Sequence, residues 1–110
     1  MSQPLELTPS EFKAQWDGGR RPVLIDVRQP DEWDICNLEE FGARLIPLQE
    51  FQQRFQEIDP AGDIVIHCRS GGRSAQAQRF LLSQGYARVQ NLAGGMLRWS
   101  DEVDSSKAKY

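Results

Sequence analysis

The stretch "DIVIHCRSGGRSAQAQRFLLSQG", Asp63 to Gly85, passes from a short apolar run through a loop into an apolar-periodic segment. "DIVIHC" is rich in β-branched residues and reads as a buried strand. Ser74 to Gln84 reads as a helix, with Gly85 as its stop. Between them, "CRSGGRS" sets a thiol, two glycines and two arginines at the junction. The same alternation recurs on either side of this stretch. "LEL" (Leu5 to Leu7) is expected to be a short edge strand. Thr8-Pro9-Ser10-Glu11 has the form of a capping box with proline at the first helical position. The helix it opens carries Phe12 and Trp16 on one face and stops at Gly18-Gly19. "VLIDV" (Val23 to Val27) reads as a buried strand, and "QPDEW" as a loop or short helical turn opening at Pro30. "ARLIPL" gives another short strand, and "QEFQQRFQEI" an amphipathic helix with Phe51, Phe55 and Ile58 on its apolar face. "ARVQNL" reads as the last strand and "GGMLRWSDEV" as a final, glycine-opened helix.

Strands alternating with helices predict an α/β fold: a central, mainly parallel five-stranded sheet with helices on both faces. In such sheets, sites lie at the carboxyl ends of the strands. Cys68, the segment Asp26-Val27-Arg28 and the pair Gly94-Gly95 each follow a strand, so three loops are expected to converge on one rim. The 110 residues fit one domain, 1–110.

A net charge of −3 gives no reason to expect nucleic acid or an anionic membrane as partner, so any anion chemistry must rest on local positive charge. "MSQPLELTPS" has neither a basic start nor an apolar core, and no run approaches the ~20 apolar residues of a membrane helix. The expectation is a cytoplasmic chain whose two cysteines stay reduced.

A cysteine at a strand-to-helix junction meets unpaired N–H groups and the positive end of the helix dipole. Gly71 and Gly72 let successive amides curl into an anion-binding nest, and Arg69 and Arg73 add full charge. All of these favour thiolate over thiol. A buried structural cysteine needs neither the paired glycines nor the two arginines. Cysteine hydrolysis calls for a histidine base. The single histidine, His67, precedes Cys68 on the same strand and points to the opposite face. It reads as a packed structural residue. Phosphoryl transfer through a cysteinyl-phosphate uses five residues between cysteine and arginine. Here four intervene, Arg69 to Gly72, and the loop has no carboxylic acid to protonate a leaving group. A phosphatase stays a minor alternative.

"IVIHCRSGGRSAQA", "VLIDVRQPDEW", "GARLIPL" and "NLAGGMLRW" occur in an order that resembles the rhodanese family in its single-domain form. The Cys-x4-Arg-Ser loop is the most specific of these motifs. Where the family usually has Gly-His-Ile before its Gly-Ala-x-x-Ile-Pro strand, this chain has "DICNLEEFGA". With "WSDEVD" and Tyr110, the pattern is most similar to rhodanese domains fused to enzymes that adenylate sulfur-carrier proteins. The resemblance implies a rhodanese-like fold and a sulfurtransferase. Cys68 would take a sulfane sulfur from a donor such as thiosulfate, carry it as a persulfide, and pass it to cyanide or a thiol. Arg69, Ser70, Gly71, Gly72, Arg73 and Ser74 would bind the substrate. Arg69 is favoured to face the donor, Arg73 to hold the loop, and Ser74 to cap or pack the helix. Asp26 and Arg28 would form either a charge pair on the rim or a structural pair holding the loop to Glu32. No metal or cofactor is implied. The expected partner is a small anionic sulfur donor, thiosulfate or a persulfide. The alternative is a delivery module working with a cysteine desulfurase or a sulfur-carrier protein. Cys36 reads as a small buried hydrophobe, or less readily as a resolving thiol. Trp33 and Trp99 read as core or site-wall aromatics.

Overall fold

A computed structural model describes residues 4–110; the first three residues of the expected domain lie outside it. The order of elements is β1 (Glu6–Leu7), α1 (Pro9–Asp17), β2 (Val23–Asp26), α2 (Pro30–Ile35), β3 (Arg44–Leu45), α3 (Phe51–Arg54), β4 (Ile64–His67), α4 (Gly72–Ser83), β5 (Val89–Leu92) and α5 (Gly95–Glu102). The five strands form one sheet in the order β1-β5-β4-β2-β3, and every pairing is parallel. The sheet is thus wholly rather than mainly parallel. β4 lies at its centre, flanked by β2 and β5, so the loops after these three strands open side by side.

Side-chain alternation sorts the core into two layers. Ile64, Ile66 and Cys68 of β4 and its loop pack with Ile25, Phe51, Ala77 and Leu81 on the α3–α4 face. Val65 and Leu24 point the other way, toward Phe12, Met96 and Trp99 of α1 and α5. There Phe12, Trp16, Phe41 and Trp99 form an aromatic cluster with ring centroids 5.1–6.0 Å apart. Each fully buried side chain of this size contributes roughly 1.5–3 kcal/mol.

The capping box at Thr8 forms as the sequence indicates, with Thr8 Oγ1 accepting from the Glu11 N–H and Glu11 from the Thr8 N–H. "QPDEW" is a helix, α2, at whose start the Glu32 carboxylate accepts from the Gln29 N–H at 3.0 Å. The continuous helix expected across "QEFQQRFQEI" is broken. Tight turns at Leu48–Glu50 and Phe55–Glu57 flank the single turn of α3. Across the core, the Tyr86 hydroxyl lies 2.6 Å from the Ile58 carbonyl and 3.1 Å from that of Phe55, which also accepts from the Ile58 N–H in the second tight turn. Phe51 and Ile58 are buried all the same.

Candidate active site

The polypeptide leaves the central strand at His67, and Cys68 is the first residue of the loop to α4. Its sulfur is cradled by that loop. The Gly71 N–H donates to Cys68 Sγ at 3.1 Å and the Ser74 N–H at 3.4 Å, with Ser74 Oγ at 3.3 Å. Gly71 makes the turn with φ +109°, a conformation that L side chains rarely adopt. Ser74 lies in the first turn of the 12-residue α4, whose leading amides have no partner within the helix. The sulfur therefore rests at the positive end of a helix dipole.

The loop backbone is pinned from below by α5. The Met96 N–H donates to the Cys68 carbonyl at 3.0 Å, and the Leu97 N–H to that of Arg69 at 3.0 Å. This approach requires glycine at 95, because a Cβ there would lie 2.3 Å from the Cys68 oxygen. From the side, Arg73 donates Nη1 to Glu32 Oε1 at 2.7 Å and Nη2 to Oε2 at 2.8 Å. The Arg73 hydrogen bonds pull the Glu32 carboxyl down to about 2, against partial burial and with help from the Gln29 N–H. Arg73 thus anchors the loop to α2.

Arg69 is exposed and engaged elsewhere. Its guanidinium carbon lies 5.1 Å from the centroid of the Tyr110 ring, and its Nε donates to the Lys109 carbonyl at 3.3 Å. Ser70 and Gly72 are exposed on the loop's outer side. Cys68 itself is only 1% exposed. The sulfur lies at the floor of the cradle rather than on an open rim.

Asp26 and Arg28 do not border the site; both are fully buried. Arg28 donates Nε to both Asp26 oxygens at 3.0 Å and Nη2 to Oδ2 at 2.8 Å. Its remaining donors reach the carbonyls of Glu32 (3.2 Å), Tyr110 (2.9 Å) and Cys36 (2.7 Å). Burial is the largest single influence and works against the Arg28 charge, but the hydrogen bonds and charge of Asp26, together with the Cys36 contact, raise its pKa on balance. The pair is an interior knot that ties β2 to α2, to the turn at Cys36 and to the chain after α5. With its donors held on these fixed oxygens, Arg28 takes the structural arrangement, tied to Glu32, of the two that the sequence offered.

His67 points away from the thiol. Its Nε2 lies 3.7 Å from Asp26 Oδ2, and burial pushes its pKa down, leaving it neutral. Cys36 is half-buried, with Sγ 3.2 Å from the Ala108 carbonyl. Three participants escaped sequence reasoning: Glu32 as the partner of Arg73, Tyr110 against Arg69, and Asn91 behind Ser74. Only Asn91 left a trace, as a polar residue two positions after Val89 on the α4-facing side of a strand. Among the described residues, no cluster of His, Cys, Asp and Glu is placed to hold a metal ion, and no helix is long and apolar enough to cross a membrane.

A family profile described as rhodanese-like domain matches residues 8–102. The chain is 33% identical over 106 residues to a probable adenylyltransferase/sulfurtransferase, MoeZ, of Mycobacterium tuberculosis, covering 94% of this chain but 26% of that protein. It is 42% identical over 78 residues to a sulfurtransferase of Allochromatium vinosum, with 71% of each chain covered. The human single-domain sulfurtransferase TSTD1 superposes with a TM-score of 0.75 at 25% identity, over 91% of this chain and 98% of that one.

Proposed function

The chain belongs to the rhodanese-like domain family, and from that premise we propose that it is a sulfurtransferase working through a persulfide on Cys68. Sulfur transfer in general follows from the family and from relatives that carry that name. The finer reading is a two-step cycle. The Cys68 thiolate attacks the outer sulfur of thiosulfate; a Cys68–sulfur bond forms, the old sulfur–sulfur bond breaks, and its electron pair leaves with sulfite. Cyanide or a thiolate then attacks the terminal sulfur and departs as thiocyanate or a new persulfide, returning Cys68 as thiolate.

The observation that carries this reading is the pair of N–H groups, of Gly71 and Ser74, aimed at the sulfur from a loop braced by α5 and by the Arg73–Glu32 pair. Such preorganised donors stabilise developing anionic charge without reorganisation, each worth ~3 kcal/mol in comparable sites. The exposed Arg69 supplies the charge that attracts an anionic donor. The test is thiocyanate formation from thiosulfate and cyanide: turnover in the wild type, and none in Cys68→Ser.

A second reading is a delivery module that receives sulfur from, or hands it to, a protein partner such as a cysteine desulfurase or a sulfur-carrier protein. It is favoured by the buried thiol and by Arg69 being held against Tyr110 and Lys109. The mycobacterial relative named as both adenylyltransferase and sulfurtransferase also supports it. Slow turnover with small donors, together with fast transfer to such a partner, would select it.

A further inference from the structure

We infer that Asn91 is a positioning residue that decides, through the Ser74 hydroxyl, whether the Cys68 sulfur faces a hydrogen-bond acceptor or a donor. The inference rests on Cys68 as the reacting group.

A serine hydroxyl has one proton and two lone pairs. Ser74 Oγ has three neighbours in reach: Asn91 Oδ1 at 2.6 Å, the Gly71 carbonyl at 3.2 Å and Cys68 Sγ at 3.3 Å. The two oxygens only accept, so the single proton must be allotted among three claimants. The orientation of the Asn91 amide is fixed by what lies behind it. Its Nδ2 faces the Gly71 carbonyl at 3.2 Å and Glu6 Oε2 at 3.5 Å. Flipping the amide would turn an oxygen against two acceptors. Oδ1 therefore points at Ser74, and at 2.6 Å it holds the hydroxyl proton.

With its proton on Asn91, Ser74 turns a lone pair toward the sulfur. That arrangement accepts from an S–H and so stabilises the neutral thiol. When the thiol gives its proton to solvent, the thiolate calls for a donor instead. Ser74 keeps its own proton and swings it from Asn91 Oδ1 to Sγ, breaking the short bond. Asn91 thus opposes the last step of thiolate formation, because the proton Ser74 must turn to the sulfur is the one Asn91 Oδ1 holds. Both residues are buried, which strengthens each hydrogen bond and makes an orphaned one costly. The charged and titratable groups around the thiol are His67 on β4, Arg69 on the loop, Arg73 on α4, Glu32 on α2, Asp26 and Arg28 after β2, and Glu6 on β1. None of them sits between Ser74 and Asn91.

The test is the pH profile of Cys68 alkylation by iodoacetamide, read on the Cys68 peptide by mass spectrometry so that Cys36 does not interfere. Asn91→Leu removes the competing acceptor and is expected to move the midpoint down by about half a pH unit. Ser74→Ala is expected to move it up, and adding Asn91→Leu to Ser74→Ala should then change nothing. A downward shift that survives in the Ser74→Ala background, or no shift in Asn91→Leu, overturns the inference. Should Asn91→Leu not fold, Asn91→Val serves. Asn91→Val, a β-branched residue suited to the strand, also removes the acceptor without adding charge, so its midpoint must fall too, and no fall overturns the inference. Alkylation reads the thiolate whether or not sulfur is transferred. Failure of the sulfurtransferase reading would instead appear as a missing sulfur adduct beside an intact alkylation profile.

Discussion

Arg73 and Glu32 form a two-pronged ion pair, at 2.7 and 2.8 Å, that joins the first turn of α4 to α2 across the mouth of the Cys68 loop. It is the side-chain tie that fixes the outer end of the cradle, and it reaches over 41 residues of sequence. Because both prongs are charge-assisted and the carboxylate is largely buried, the pair resists screening better than a surface bridge.

Glu32→Gln is expected to cost about 1–3 kcal/mol of stability and to lower turnover, with chemical denaturation and thiocyanate assays as the measurements. The pH dependence has a definite sign. The folded Glu32 carboxyl titrates near 2, below its ordinary value of 4.5. Its contribution is therefore complete above about 4.5 and fades as pH falls from there toward 2. The Gln variant should lack this part of the acid-induced loss.

His67 adds a dependence at higher pH. Burial depresses its folded pKa below the ordinary 6.5. Below that value the unfolded chain takes up a proton that the folded chain refuses, so stability is complete above about 6.5 and declines as pH falls through it. Denaturant midpoints on either side of neutrality should show this slope in the wild type and a shallower one in His67→Gln.

Gly95→Ala is expected to be among the most damaging single-methyl additions. The new Cβ would meet the Cys68 carbonyl at 2.3 Å, against backbone that cannot yield, at a residue with φ +54°. A cost on the order of 3 kcal/mol combines overpacking with left-handed strain. Gly19→Ala, with φ +106° but nothing within 4 Å, carries only the strain. Equal loss in the two variants, by thermal unfolding, would contradict the close approach of α5 to the loop.

Arg69 and Arg28 should separate cleanly. Arg69→Ala is expected to raise the KM for thiosulfate with little change in stability. Arg28→Ala orphans the buried Asp26 and should destabilise by about 3–5 kcal/mol. Tyr110→Ala releases the Arg69 guanidinium from its ring contact and is expected to speed reaction with small anionic donors. A KM effect of Arg28 in a fully folded variant would place the anion elsewhere.

Much of this was legible in the sequence. β2 and β4 follow from their β-branched runs, Thr8 marks the start of α1 and Gly85 lies just past the end of α4, although α4 starts at Gly72, two residues before the expected Ser74. The position of Cys68 relative to His67 follows from strand alternation alone. What escaped depended on distant partners. "QEFQQRFQEI" has helical periodicity, but the Tyr86 hydroxyl that meets two of its carbonyls lies 31 and 28 residues away. "DVR" reads as either a rim pair or a structural pair holding the loop to Glu32, and the part played by the chain after α5, which contacts Arg28, is not visible locally. Likewise, the buried state of the thiol depends on how the chain returns, which no local pattern encodes.

Sulfur carried on Cys68 is the step from which the proposed activity follows. Intact-mass spectrometry after mixing with thiosulfate should show the gain of one sulfur atom, reversed by cyanide and absent in Cys68→Ser. An adduct that persists in Cys68→Ser, or that disappears only in Cys36→Ser, would contradict the account and move the chemistry away from the α4 cradle.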